Sequence, residues 1–328
     1  MKKLLPLLLL ILIGCSSPEP EPINMNEMLI EKYYVYYTKD TNQPYSGPVF
    51  SLHENGQLKI EVTLKNGEFD GPYKEYYENG QLRSDETYKD GNMDGPYIRY
   101  YSNGIIDEQG SVKYVPPTPP GERSQTVRVG PHKSYYWNGQ LNYEGTYTEG
   151  SSSVSWEKPI GIWKYYYENG QLRLYDDNDN KTYKSYYENG QLKEEGVLFG
   201  GKKPEKSYSE NGQIELEGKY NKDGKQVGLW KHYYENGQLK YEGTFNNGKE
   251  VGIFKTYYEN EQLQLEGTFK DGERDGPMKL YYENGQLQMY GTYKDGKEDG
   301  PFKLYYENGQ LKEEGTFKDG ELIDSKEY

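Results

Sequence analysis

The sequence predicts an all-β protein, an elongated single-layer antiparallel meander of about eleven β-hairpin repeats. The chain carries eleven versions of the motif Tyr-Tyr-Glu-Asn-Gly-Gln-Leu, and five of the ten spacings between the motif asparagines are 24 residues. A fixed period of this size is typical of repeat proteins whose units bury apolar surface only against their neighbours. Asx-Gly steps recur throughout, and Tyr and Thr favour strands over helices. The motif asparagines are Asn55, Asn79, Asn103, Asn138, Asn169, Asn189, Asn211, Asn236, Asn260, Asn284 and Asn308.

The first residues resemble a bacterial lipoprotein signal. Lys2 and Lys3 precede an apolar stretch that ends at Ile13, and Leu12-Ile13-Gly14-Cys15 resembles a lipobox. About ten apolar residues are too short for a permanent membrane span but suit a signal-peptide core. We therefore expect residues 1–14 to be a lipoprotein signal peptide. The resemblance implies cleavage before Cys15 and acylation of that residue, which would anchor the chain in a membrane. The alternative is a plain secretory signal with an incidental cysteine.

The segment after the predicted cleavage site is rich in Pro and Glu. Because Pro18, Pro20 and Pro22 alternate with Glu, residues 15–32 are interpreted as an extended linker. The absence of Asp after Cys15 resembles the pattern of lipoproteins sent to the outer membrane. It favours the outer membrane or cell surface over the inner membrane and leaves the leaflet open. Residues 33–323 are predicted to form the repeat ribbon, and residues 324–328 a C-terminal tail.

The unit from Gly300 to Gly320 shows the predicted hairpin. Asn308-Gly309 is interpreted as the centre of a type I′ turn, since both residues tolerate positive φ. Counting outward from this turn and alternating the side chains gives one apolar face and one face that carries charges and tyrosines. The predicted cross-strand pairs are Tyr306 with Leu311, Tyr305 with Lys312, Lys303 with Glu314, and Phe302 with Gly315.

Two of these pairs recur along the chain. An aromatic residue faces glycine, which suggests that the ring covers bare backbone, and a lysine faces a glutamate, which helps to fix register. The recurrences are Trp230 with Gly243, Phe254 with Gly267, Tyr183 with Gly196, Lys231 with Glu242, Lys255 with Glu266, and Lys184 with Glu195. At the opposite edge, Asp-Gly turns are predicted at Asp90, Asp271, Asp295 and Asp319.

The charged face supplies the candidate binding residues. Tyr233, Tyr257, Tyr281 and Tyr305 share a register, and each lies two residues from a lysine on the same strand. They are predicted to form a solvent-facing row that docks a partner. The alternative is that the rings only cover one another along the sheet and shield its hydrogen bonds.

Departures from the repeat are the other candidates. The spacing grows in two places, which predicts insertions near 111–129, with its proline-rich run from Val115 to Gly121, and near 148–160. Each is open to interpretation as a binding loop or as a neutral insertion. Proline-rich segments cannot join a ladder, so the first should loop out. The Asn260-Glu261 step places Glu at a position that requires positive φ, which should strain or remodel that turn.

One shortened unit resembles part of a calcium loop. Asp176, Asn178 and Asn180 have the spacing of the first three ligands of an EF-hand. Lys181 stands where that loop requires Gly, and Tyr187 where it requires Glu. A tight polar turn is therefore the preferred interpretation, and neither a metal nor another cofactor is predicted.

The repeats resemble the bacterial variant of the MORN family, whose units contain Tyr-Tyr-Glu-Asn-Gly-Gln-Leu and Gly-Thr-Tyr-Lys-Asp-Gly-Lys. The resemblance covers roughly residues 33 to 319, nearly all of the chain after the signal. Proteins with such units are often grouped with the YwqK-like antitoxin family. The resemblance implies a repeat fold and brings no catalytic residue with it.

Composition bears on partners and on catalysis. The formal net charge of −14 argues against nucleic acid and anionic lipid surfaces and favours a basic protein partner. The chain has only three histidines, His53, His132 and His232, and it lacks a nucleophile elbow or a phosphate-binding glycine loop. His53 stands where a repeat tyrosine usually stands, and His232 should pair with Tyr241. An enzyme is therefore not expected.

The favoured function is a non-enzymatic envelope lipoprotein that serves as a repeat scaffold for protein–protein interaction. Aromatic rings give a large contact area at low entropic cost, which suits a docking surface. The first alternative is an antitoxin or immunity protein of a toxin–antitoxin system, and export would restrict it to toxins that arrive in the envelope. The second alternative is glycan or cell-wall binding through exposed aromatics.

Overall fold

The computed structural model describes residues 20–116, 125–148, 158–198 and 200–328. The predicted signal peptide and Cys15 lie outside these ranges, as do residues 117–124 and 149–157 of the two predicted insertions. The remainder of the first predicted insertion continues two strands, which end at Val115 and begin at Gln125. No helix in the described ranges is long and apolar enough to cross a membrane.

The first compact unit ends at Val127. Strands β4 to β9 form an antiparallel meander in chain order, from the β4–β5 pair to the β8–β9 pair, and β1 adds to β4 in parallel. Strands β2 and β3 form a separate hairpin. The elements are β1 (Ile23–Asn24), α1 (Met25–Met28), β2 (Leu29–Lys32), β3 (Val35–Thr38), β4 (Gly47–Leu52), β5 (Leu58–Lys65), β6 (Glu68–Tyr76), β7 (Leu82–Lys89), β8 (Asn92–Tyr100) and β9 (Ile106–Val115).

The second compact unit runs from Arg128 to Tyr328 and is also an antiparallel meander. Each strand from β10 to β22 pairs antiparallel with the next, β23 pairs with both β24 and β25, and β26 pairs with β25 and β27. The strands are β10 (Gln125–Tyr135), β11 (Leu141–Tyr147), β12 (Pro159–Tyr166), β13 (Leu172–Asp177), β14 (Thr182–Tyr186), β15 (Leu192–Val197), β16 (Lys203–Tyr208), β17 (Ile214–Tyr220), β18 (Gln226–Tyr233), β19 (Leu239–Asn246), β20 (Lys249–Tyr257), β21 (Leu263–Lys270), β22 (Glu273–Tyr281), β23 (Leu287–Lys294), β24 (Lys297–Glu298), β25 (Gly300–Tyr305), β26 (Leu311–Lys318) and β27 (Glu321–Glu327). The predicted all-β antiparallel meander of about eleven repeats is confirmed.

The ends of the repeat region differ from the predicted boundaries. Residues 23–32, assigned to the linker, form β1, α1 and β2. Met25 and Leu29 pack with Val49, Val62 and Leu64 in a buried cluster, because the first hairpin has no preceding hairpin to cover its apolar face. The predicted C-terminal tail also differs, since residues 324–327 belong to β27, which pairs with β26.

The Asn-Gly turns differ from the predicted type I′ geometry. Tyr306 N–H donates to the Gln310 carbonyl at 2.8 Å, and Gly309 N–H donates to the Tyr306 carbonyl at 2.8 Å. Only Gly309 has positive φ, at 82°, so the hairpin has a three-residue loop built on a type I turn. The side chain of Asn308 explains this choice, because its Oδ1 accepts a hydrogen bond from Gln310 N–H at 3.0 Å.

The three-residue loop changes the register beside the turn. Tyr305 lies opposite Leu311 and Leu304 opposite Glu313, so Lys312 is an extra residue in a bulge. The predicted pairs of Tyr306 with Leu311 and Tyr305 with Lys312 are therefore wrong. Lys312 instead places its Nζ 5.7 Å from the centre of the Tyr306 ring.

The opposite edge carries the type I′ turns. Asp271 and Gly272 both have positive φ, at 52° and 90°, and Lys270 lies opposite Glu273. Asp90, Asp295 and Asp319 have the same conformation, each followed by a glycine with positive φ. The predicted Asp-Gly turns are thus confirmed in position.

The predicted register beyond the turns is confirmed. Trp230 lies opposite Gly243, Lys231 opposite Glu242, and the recurring pairs of the other units keep the same relation. Two of the rings, however, cover a different glycine from the one predicted. Trp230 lies over Gly218 and Phe254 over Gly243, in each case the glycine of the preceding strand. Phe302 lies over Gly315, as predicted.

Glu261 adopts φ of 68°, where the other Asn-Gly turns have glycine. Its N–H still donates to the Tyr258 carbonyl at 3.0 Å, so the turn is strained and not remodelled. A left-handed conformation at a residue with a side chain costs about 1 kcal/mol.

Candidate interaction surface

The four predicted face tyrosines are half-buried and lie opposite leucines. The Tyr233 hydroxyl donates to Glu217 Oε1 at 2.7 Å, and the Tyr257 hydroxyl donates to Glu242 Oε1 at 3.2 Å. Tyr76 and Tyr166 donate to glutamates of their preceding units in the same way. Tyr281 and Tyr305 occupy the same register position. In these motifs the hydroxyl of the first tyrosine therefore links its unit to the preceding unit.

In seven motifs the hydroxyl of the second tyrosine links its unit to the following unit. The Tyr234 hydroxyl donates to the Tyr257 carbonyl at 2.8 Å, and Tyr258 donates to the Tyr281 carbonyl at 2.8 Å. The same bond recurs in both compact units, at Tyr77, Tyr136, Tyr167, Tyr187 and Tyr282. His53 replaces this tyrosine in the first repeat, and its Nε2 lies 2.8 Å from the Tyr76 carbonyl. The prediction that His53 takes the place of a repeat tyrosine is confirmed.

The motif asparagine forms a second link between successive turns. Asn284 Nδ2 donates to the Glu307 carbonyl of the next unit at 3.1 Å. Its Oδ1 accepts from Gln286 N–H within its own turn at 2.9 Å. The Gln286 side chain in turn lies against Gly309 of the next turn. The tyrosines, the asparagine and the glutamine of the motif thus have defined structural roles.

Beside the tyrosines, the charged face carries one continuous cross-strand row. Every strand of the second unit except β24 contributes one residue, and each member lies directly opposite the next. The row contains nine lysines, six glutamates and two tyrosines, a formal excess of three positive charges. Its members in order are Lys133, Glu144, Lys164, Tyr175, Lys184, Glu195, Lys206, Glu217, Lys231, Glu242, Lys255, Glu266, Lys279, Tyr290, Lys303, Glu314 and Lys326. We call this set the charged row.

Several glutamates of the charged row bridge two lysines on neighbouring strands. Glu144 lies 3.3 Å from the Lys133 Nζ and 3.7 Å from the Lys164 Nζ. Glu266 lies 3.6 Å from Lys255 and 3.3 Å from Lys279. Burial alone would raise the pKa of Glu144, but hydrogen bonds from Lys133 and Tyr166 outweigh burial and lower that pKa. Exposed pairs of this kind contribute about 0 to 1 kcal/mol each, so the row fixes register more than it stabilises the fold.

The other face of the sheet carries the large buried side chains. Trp163, Tyr183, Trp230 and Met278 are at most 3% exposed. His232 stacks on Tyr241 with ring centres 4.1 Å apart, as the sequence predicts, and burial lowers the pKa of its imidazole. This face forms the core of the second unit.

The calcium candidates lie in a polar turn. The Asp176 carboxylate lies 3.4 Å from Lys202 Nζ, Asn178 Nδ2 donates to the Gly161 carbonyl, and Asn180 Nδ2 donates to Asp177. The three side chains therefore have separate partners. In the described ranges, no group of three or more His, Cys, Asp or Glu side chains is placed to hold a metal ion.

Comparison with known proteins identifies the repeats. The family described as MORN repeat variant matches residues 45–66, 69–90, 93–114, 128–149, 159–176, 179–198, 203–222, 226–247, 250–271, 274–295 and 298–319. These eleven segments span more than half of the chain and follow the hairpins described above. No curated protein matches the chain.

Solved structures give a weaker likeness. A crystal structure of TcdB2-TccC3-TEV aligns with 86% of this chain and 19% of its own, at 12% identity and a TM-score of 0.17. The Tc holotoxin pore of Photorhabdus luminescens aligns with 87% of this chain and 20% of its own, at 11% identity and a TM-score of 0.13. The chain spans about a fifth of the length of these structures, and TM-scores this low support no conclusion about this protein.

The tyrosine–glutamate contacts predict alkaline unfolding. Burial, followed by the nearby carboxylates, raises the pKa of Tyr36, Tyr76, Tyr88 and Tyr233 from 10.0 to about 12. Because the folded state holds these protons more tightly than the unfolded chain, their contribution to stability is complete below pH 10. It is lost as pH rises from about 10 to 12. A pH titration followed by circular dichroism and tyrosinate absorbance should show the loss of β signal and ionisation together.

Tyr233→Phe should make the alkaline transition slightly less steep, whereas Tyr33→Phe, at a residue 96% exposed, should leave it unchanged. A fully retained β signal with complete tyrosine ionisation near pH 10 would contradict this prediction.

Proposed function

This chain belongs to the MORN repeat variant family, and we propose that it is a non-enzymatic, lipid-anchored envelope protein whose sheet is a scaffold for protein–protein interaction. MORN repeats occur in scaffolds for protein or membrane interaction. The finer parts of the proposal, namely the anchor, the envelope and the protein partner, come from the signal-like N-terminus and from the charged face. The charged row is the observation that carries the docking function.

The charged row suits docking because its side chains are held in register and are also accessible to solvent. Neighbouring units hold its side chains in register, while the lysine side chains remain substantially exposed, for example 39% at Lys279 and 44% at Lys303. A partner therefore meets charges at fixed intervals without paying to order the sheet beneath them. Charge arrays of this kind contribute to specificity and association rate more than to raw affinity.

The four face tyrosines position the glutamates of the charged row more than they add a contact surface to it. The hydroxyls of Tyr233 and Tyr257 are already hydrogen-bonded to glutamates of neighbouring strands. These contacts favour the alternative in which the rings stabilise the sheet. In this proposal the tyrosines hold the glutamates of the row, and the charged groups make the contact with the partner.

The proposed partner is a protein. The net charge of −14 favours one that is basic overall. An immunity role against a toxin that arrives in the envelope would use the same anchored surface. In that case the captured partner would be a toxin. Glycan binding would instead rely on exposed rings, and most rings of the described sheet are half-buried or buried.

The lipobox-like sequence predicts the effect of removing Cys15. Cys15→Ser should prevent acylation, because the serine hydroxyl cannot accept the thioether-linked lipid. Metabolic labelling with a clickable fatty acid, followed by membrane fractionation, measures this directly. Wild type should be labelled and Cys15→Ser should not. Equal labelling of both chains would rule out the anchor.

The charged row predicts a loss of partner capture without loss of fold. Replacing Lys231, Lys255, Lys279 and Lys303 with Gln removes four charges from the row. Melting temperature should fall by only a few degrees, since exposed pairs contribute about 0 to 1 kcal/mol each. Crosslinking pull-down from the native envelope should lose the proteins that wild type captures.

A matched control removes four exposed lysines outside the row, Lys240, Lys249, Lys270 and Lys294. Capture should survive in that control, because the charged row is intact although the total charge equals that of the row variant. Equal losses in the two variants would mean that overall charge, and not the row, governs capture.

A further inference from the structure

The charged row is interrupted in two places. Tyr175 stands between Lys164 and Lys184, where the alternation calls for an acidic residue. Tyr290 stands between Lys279 and Lys303 in the same way. The other internal lysines of the row lie between two glutamates, whereas each of these four has a glutamate on one side only.

Both interruptions have the same surroundings. On each side of the tyrosine the row continues as lysine, glutamate and lysine. Around Tyr290 these residues are Lys279, Glu266 and Lys255 on one side and Lys303, Glu314 and Lys326 on the other. Around Tyr175 they are Lys164, Glu144 and Lys133, and Lys184, Glu195 and Lys206. Four lysines against two glutamates leave a local formal charge of +2 at each interruption.

The lysines beside the interruptions keep donors for a further ligand. Lys303 is paired with Glu314 at 3.2 Å, and Lys184 with Glu195 at 3.2 Å, in both cases on the side away from the tyrosine. An ammonium group has three donors, and these side chains are 44% and 50% exposed. They can therefore hold their own glutamate and still reach a group that enters from solvent.

A tyrosine hydroxyl completes the surroundings. Glu144, Glu217 and Glu242 of the row each accept a hydrogen bond from the first tyrosine of the following motif, and for Glu242 this is Tyr257, fifteen residues later. Tyr305 stands at the same distance after Tyr290. A carboxylate placed beside Tyr290 would thus meet the donor types that hold the chain's own glutamates, namely two lysines and a tyrosine.

We propose that the interruptions at Tyr175 and Tyr290 are two docking positions for carboxylate side chains from an acidic segment of a partner protein. The inference rests on the proposed scaffold function and specifies its chemistry. Charge complementarity selects this occupant, because the row carries excess positive charge although the whole chain is negative. A partner that is basic overall would present these carboxylates locally, which adds specificity to the long-range attraction.

The test replaces each interrupting tyrosine with glutamate, so that the chain itself supplies the missing carboxylates. The probe is a fluorescein-labelled hexaglutamate peptide, and binding to the purified full chain in nonionic detergent is followed by fluorescence polarisation at low salt. The Tyr175→Glu, Tyr290→Glu double variant should bind about tenfold more weakly, which corresponds to about 1.4 kcal/mol. Melting temperature should not fall, since both glutamates gain lysine neighbours.

The matched control is the double variant Gln171→Glu, Gln286→Glu. It adds the same two charges at exposed turn residues, each four positions before the tyrosine concerned, with nearly no change in side-chain shape. Its affinity for hexaglutamate should stay within about twofold of wild type, a change of about 0.4 kcal/mol. If the tyrosine variants fail to fold, Lys279→Gln with Lys303→Gln replaces them and should weaken binding likewise.

Three outcomes would overturn the proposal. They are wild-type affinity in the tyrosine variants, an equal loss in the glutamine control, and displacement of the peptide by inorganic phosphate at equal concentration. The last would indicate a phosphate-bearing ligand instead. Because the assay uses the isolated chain, its failure leaves the anchor and the envelope pull-down to be judged on their own results.

Discussion

In seven motifs the hydroxyl of the second tyrosine donates to a backbone carbonyl of the next unit, and the other features of the sheet depend on this link. Tyr258 to the Tyr281 carbonyl, at 2.8 Å, is one example, and Asn260 reaches the Glu283 carbonyl in the same step along the chain. A single-layer sheet has no second layer to hold its hairpins in register. The side chains at the turn edge fix that register. Each member of the charged row can therefore lie opposite the next across the second unit.

This constraint explains the unusual composition. A sheet without an opposing layer must cover its apolar face from within, and large rings do so by lying over glycines of a neighbouring strand, as Trp230 does over Gly218. Tyrosine suits both faces, because its ring covers backbone while its hydroxyl reaches a glutamate or a carbonyl. The first hairpin lacks a preceding neighbour, and residues 23–32 cover it instead.

Period and charge alternation made much of the fold predictable, since pairs such as Lys231 with Glu242 follow from spacing alone. The turn type did not follow, because Asn-Gly suits two hairpin geometries and the choice depends on the bond from Gln310 N–H to the Asn308 side chain. The covered glycine depends on packing between hairpins, which no single unit contains. The sequence alone does not single out Tyr290 as a site, because only the assembled row shows that a carboxylate is missing there. The proposed docking positions therefore arise from departures from the repeat, whereas the tyrosines singled out by the repeat largely maintain the sheet.

Each repeat unit is held only by its neighbours, and the deletion of one whole unit measures this dependence. Removal of residues 249–272 would join Gly248 to Glu273 and place the Tyr281 carbonyl within reach of Tyr234 and Lys279 opposite Glu242. The shortened chain should fold, with unchanged β signal per residue by circular dichroism and a single cooperative melt. Loss of the β signal throughout the shortened chain would contradict it.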